Sequence, residues 1–146
     1  MARAKPAVGV PEAEVAAALD ASALMAVLHD EDGADEVAEA IANGAAISVV
    51  NWAEVLTKLA ERGRDPQQAA SETRKAEGSR RALAIEPMTA ADCIAIARLR
   101  LTTKAQGLSL ADRACLALAE RLGVPAVTAD GEWAKADVAA EVRLIR

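Results

Sequence analysis

Residues 107–130 read GLSLADRACLALAERLGVPAVTAD, and their order decides the fold class. Ser109 is placed to cap a helix whose apolar residues recur as Leu110, Ala114, Leu118 and Leu122 before Gly123 stops it. Pro125 to Thr128 then forms a short strand, and Asp130 stands just beyond its end. Helix, strand and acid in that order describe one α/β crossover with a carboxylate at the strand's carboxyl end.

The same pattern recurs outward from this stretch. Residues 15–19 are a short apolar run suited to a buried strand, although rich in alanine, and Asp20 ends it. A helix is expected over 21–29, with Ser22 available as a cap, and another over 33–42. AAISVV at 45–50 reads as a strand that stops at Asn51, a favoured cap for the amphipathic stretch 52–61. Pro66 begins a polar helical segment to Glu77, 83–85 reads as a short strand, and Thr89 caps the helix holding Cys93, which Gly107 closes. Residues 142–145 supply a last edge strand. Residues 1–14, with two prolines and a glycine, are expected to be a loose extension ahead of one domain over 15–146. Strands separated by helical crossovers predict an α/β sandwich with a mainly parallel sheet.

The chain has 146 residues, 53% of them hydrophobic, which suffices for one buried core. Charges interrupt every apolar stretch before membrane-spanning length, and the start lacks a secretory pattern, so no membrane association and a cytoplasmic location are expected. Cys93 and Cys115 lack the spacing of a zinc or redox motif and are expected as buried thiols. A net charge of −5 argues against holding nucleic acid by bulk electrostatics. The charge is nonetheless segregated. Residues 6–57 carry ten acids and no Lys or Arg, whereas 58–81 carry seven basic residues against four acids. With Arg98, Arg100 and Lys104 these form either a basic rim or ordinary solvated helix faces.

Four acids recur at the predicted strand ends and first turns: Asp20, Glu54, Asp112 and Asp130. Each has a structural use alone. Asn51 with Glu54 and Ser109 with Asp112 have capping-box spacing, while Asp20 and Asp130 each suit the cap of the helical turn after them. Together they would crowd one sheet edge, where mutual repulsion calls for a divalent cation. Mg²⁺ or Mn²⁺ prefers such oxygen ligands and supplies an activated water for attack on phosphorus. Other chemistry is poorly provided for. His29 is the single histidine and reads as a surface or packing residue; no glycine-rich phosphate loop or nucleophile triad is present. With neither Phe nor Tyr, Trp52 and Trp133 are the only aromatic rings, and both suit core or interface anchors. Reading RNA by shape and backbone therefore fits better than stacking.

Four stretches, LDASALMAVL from Leu19, SVVNWAEVLTKLAERG from Ser48, GLSLADRACLALAERLG from Gly107 and VTADGEW from Val127, resemble PIN-domain ribonucleases. The resemblance is closest to VapC-type toxins of bacterial toxin–antitoxin pairs and spans nearly the whole chain. It implies a three-layer α/β/α sandwich and a metal set of Asp20, Glu54, Asp112 and Asp130, with Ser22 and Thr128 as supporting hydroxyls. It also implies Mg²⁺ or Mn²⁺ dependence, a homodimer, cleavage of structured RNA such as tRNA or rRNA, and a cognate antitoxin. An Arg or Lys of that antitoxin would satisfy the acidic pocket. The helix carrying Trp52, Val55, Leu56 and Leu59 is the expected dimer face. Rival readings are a catalytically silent interaction module and a DNA-cutting nuclease of the same fold. A phosphoacceptor receiver domain is disfavoured, since its acidic pair and late lysine do not appear.

Overall fold

The computed structural model describes residues 15–76 and 83–146, with the side chains of 74–76 left aside. The expected extension at 1–14, and Glu77 at the end of the polar helix, lie outside those residues. Among the described residues five strands form one sheet: β1 (Ala17–Leu19), β2 (Ala45–Ser48), β3 (Ala84–Glu86), β4 (Ala126–Thr128) and β5 (Val142–Leu144). They lie in the order β3-β2-β1-β4-β5, and every pairing is parallel. Among the described residues six α-helices accompany them: α1 (Ala21–Leu28), α2 (Ala34–Ala42), α3 (Val49–Glu61), α4 (Pro66–Ala76), α5 (Ala90–Thr103) and α6 (Leu110–Leu122). The result is a three-layer α/β/α sandwich.

Strand alternation sorts the core into two faces. Ala17, Leu19, Ala45, Ile47 and Val127 meet Leu24, Val37, Trp52, Val55 and Leu59 on one side. On the other side Ala18 lies in register with Ala46 and Ala126, and Ala46 with Ala84. This row of four alanines lets α6 sit close to the sheet, with Ala114 to Ala119 all buried against it. The alanine content that weakens residues 15–19 as a strand by propensity is thus what the helix contact requires.

Several expectations need correction. Strand β2 ends at Ser48, and Ser48 caps α3 by accepting from the Val50 N–H at 3.1 Å, so Val49 and Val50 are helical. Asn51 is therefore no cap, and Glu54 falls in the second turn. Asp20, not Ser22, caps α1. Cys115 is buried as expected, but Cys93 is exposed. Leu110, expected on the apolar face of α6, is exposed at the helix's first position. His29 follows the last residue of α1, where its ring nitrogens lie 3.0 and 2.9 Å from an Arg62 Nη1. Trp52, Val55 and Leu59, expected at a dimer face, are consumed by the chain's own core and Leu56 is partly buried, which leaves Val49 as the exposed large apolar side chain of α3. Among the described residues two of the exposed large apolar side chains share α5, where Ile94 is 57% and Leu101 83% accessible, while Val49, Leu110 and Leu144 stand singly on other elements. Among the described residues no helix is long and apolar enough to cross a membrane.

Candidate functional site

Because all five strands run parallel, their carboxyl ends share one edge, and the N-termini of α1 and α3 follow β1 and β2 there directly. Asp20 is the residue at which β1 becomes α1. Its extended backbone leaves Oδ1 to accept from the Ala23 N–H at 2.8 Å and from Ser22 Oγ at 2.7 Å. Oδ2 accepts from Thr128 Oγ1 at 2.6 Å, across the β1–β4 pairing. Ser22 Oγ in turn accepts from the Ala129 N–H, and Thr128 Oγ1 from the Asp130 N–H at 3.1 Å. The two hydroxyls thereby tie the end of β4 to the start of α1.

Asp20 is only 4% exposed, and this burial raises its pKa from 3.8 to about 6. The Thr128, Ala23 and Ser22 hydrogen bonds pull the other way, while the nearby Asp112 charge adds to the rise. Beneath them Cys115, wholly buried, has its thiol pushed well up by burial and by the same two carboxylates. Asp20 and Asp112 are thus close enough to feel each other's charge. Among the described residues neither is paired with a Lys or Arg.

Asp112 belongs to a capping box: its Oδ2 accepts from the Ser109 N–H at 2.8 Å, and Ser109 Oγ accepts from the Asp112 N–H. Asp130 caps a short 3-10 turn, Gly131–Lys135, by accepting from the Glu132 N–H. Glu54 stands on α3 with Lys58 Nζ 3.9 Å away. The network joins Asp20 to Asp130 through Thr128, and Asp20 to Asp112 through space. It places no contact between Glu54 and the other three. Among the described residues no three His, Cys, Asp or Glu side chains stand in ion-holding geometry, since each first-turn carboxylate turns back onto its own backbone. The donor set still suits a hard divalent ion: the side chains of the four candidate acids offer only oxygens, and the deepest carboxylate is desolvated beside a like charge without a cation. Sequence reasoning took Asn51 for a cap. It is in fact a bridge, its Nδ2 donating to the Ala111 carbonyl at 3.0 Å between α3 and α6. Only the position of the β2 to α3 boundary separates those readings.

The parallel α/β/α sandwich thus carries Asp20 at the end of β1 and Asp130 just beyond β4. The family model of the PIN domain matches residues 17–139, and the chain belongs to the PIN domain family. Nucleases of that family are hydrolases that generally depend on a divalent metal. The fold is similar to a toxin–antitoxin complex from Klebsiella pneumoniae at 19% identity and a TM-score of 0.67, covering 90% of this chain and 98% of that one. It is also similar to VapBC2 from Rickettsia felis, bound to a promoter DNA fragment, at 18% identity and a TM-score of 0.65, covering 87% and 96%. VapC20 of Mycobacterium tuberculosis, a sarcin-ricin-loop-cleaving toxin, aligns at 17% identity and a TM-score of 0.66, covering 82% and 94%. No curated protein sequence matches the chain.

Proposed function

We propose that this chain is a divalent-cation-dependent endoribonuclease acting in the cytoplasm as the toxin of a toxin–antitoxin pair, with structured RNA, tRNA or rRNA, as substrate. The observation that carries the proposal is Asp20: a buried carboxylate gripped by two hydroxyls and a helix N–H, beside Asp112 and without a cation of its own. A protein selected for stability alone gains little from such a group. Asp20, Glu54, Asp112 and Asp130 would hold Mg²⁺ or Mn²⁺. The ion would supply an acidified water and neutralise charge on the phosphate. Ser22 and Thr128 keep both Asp20 oxygens pointed; Oδ1 already accepts two hydrogen bonds and Oδ2 one, so Oδ2 has the lone pair that would face the ion. The N-termini of α1 and α6 favour the ionised acids.

The partners follow from charge and apolar surface. An antitoxin Arg or Lys entering the acidic edge would offset Asp20 and Asp112 and compete with the ion; the toxin–antitoxin complexes among the structural neighbours support such a partner. A homodimer would use α5, where Ala90, Ile94, Ala97 and Leu101 form one exposed stripe. The absence of a ready-made group of three acids among the described residues favours one rival, a silent module in which they are helix caps. Expression in a bacterial host followed by sequencing of RNA ends separates the two. Defined new ends, growth arrest, and relief by Asp20→Asn or by the neighbouring gene product are expected. Normal growth with abundant soluble protein and intact RNA would leave the silent module.

A further inference from the structure

Asn51 is a fully buried amide with one bond made and one left open. Its exposure is 0%, its Nδ2 donates to Ala111 O at 3.0 Å, and its Oδ1 has no donor among the described residues. Packing does not require an amide here. The Ala111 carbonyl lies within α6 and has the Cys115 N–H as its helical donor, so an apolar side chain of similar volume would leave no group orphaned. Gln106 Oε1, Arg113 Nε and Trp133 Nε1 are also buried without a partner among the described residues, and Asn51 differs from them in standing on α3 beside Glu54 with its bond made to the residue before Asp112.

The position of the amide indicates a use. Asn51 and Glu54 stand three residues apart, on one face of α3, and Ala111 immediately precedes Asp112. α3 packs against α6, and the Asn51 bond crosses that seam between the two acids whose helices are not tied by the Ser22–Thr128 network. A planar amide whose nitrogen sits in the seam keeps its oxygen there too. We propose that Asn51 is a positioning residue for the cation site: the Nδ2 bond sets the spacing of Glu54 and Asp112, and Oδ1 is kept as acceptor for a water that enters with the ion. The inference rests on the four-acid reading above.

Calorimetric titration with Mn²⁺ of wild type, Asn51→Leu and Asn51→Ala, with melting curves of the metal-free proteins, tests it. Asn51→Leu is expected to melt within about 5 °C of wild type, yet to bind Mn²⁺ about tenfold or more weakly. Cleavage at saturating Mn²⁺ should recover, so that the half-saturating Mn²⁺ concentration moves and kcat does not. A measurement needing no variant accompanies it: in ¹⁵N-labelled wild type the Asn51 side-chain amide signals should shift as Mg²⁺ saturates the protein. Wild-type Mn²⁺ affinity in a folded variant, or Asn51 signals that stay fixed through the Mg²⁺ titration, would overturn the inference and leave the four-acid reading standing. A wild-type protein that takes up neither ion would overturn both.

Discussion

A carboxylate withdrawn from water beside another carboxylate resists ionising, and Asp20 meets both conditions, with burial the larger. Its folded pKa of about 6 lies above the ordinary 3.8. The unfolded chain therefore gives up this proton first as pH rises. The resulting penalty is absent below the unfolded value, grows between the two, and is fully present above pH 6, on the order of 3 kcal/mol at most. Metal-free protein should consequently melt higher at pH 5 than at pH 7 as far as this group decides, and Mn²⁺ at pH 7 should restore the difference. Asp20→Asn should raise the metal-free melting temperature by about 5 °C or more, remove that pH dependence, and abolish cleavage; scanning calorimetry at the two pH values checks the first two. A variant less stable than wild type at pH 7 would contradict the burial argument. Asp20 was legible because it separates an apolar run from a helical one. Repulsion among the four acids was expected from their shared sheet edge, but that Asp112 is the one felt by Asp20 was not legible, since nothing in a linear pattern tells how closely two helix starts approach.

At the level of elements, the helix and strand order was readable throughout, while boundaries depended on which side chain won the cap. Ser48 and Asn51 both suit an N-cap, and Ser48 prevails because capping there lets Asn51 reach Ala111. The alanine row was illegible for another reason: alanine is weak strand evidence locally, and only the register of four strands shows that it clears space for α6. Ala46→Leu should overfill that contact and cost about 1–3 kcal/mol, measured by urea unfolding; an unchanged midpoint would mean that α6 can lift from the sheet. In contrast, Asp112→Asn keeps an acceptor for the Ser109 N–H, so its stability loss should stay below about 1 kcal/mol, while Mn²⁺ uptake falls and cleavage is lost. Opposite responses of stability and activity at these two positions separate the scaffold from the site.

For the whole molecule, burial of Trp52, Val55 and Leu59 turns the proposed dimer surface from α3 to α5, where Ile94 and Leu101 are exposed on one stripe. Leu101→Glu should shift sedimentation from dimer to monomer at micromolar concentration with the fold intact. A wild type already monomeric there would remove the dimer. Exposed Arg98, Arg100 and Lys104 lie on or just beyond the same helix, so a dimer would carry basic residues beside its seam, compensating for a net charge of −5. The central claim, that four carboxylates act as one cation site for cutting RNA, is tested most directly with purified protein and total RNA. Cleavage should be measured with EDTA, with Mg²⁺ and with Mn²⁺, against Asp112→Asn and against a single-stranded DNA control, with the RNA ends sequenced. Defined internal RNA ends that require the added cation and vanish in the folded variant are the predicted result; equal cleavage by Asp112→Asn, or none by wild type with either cation, would contradict it.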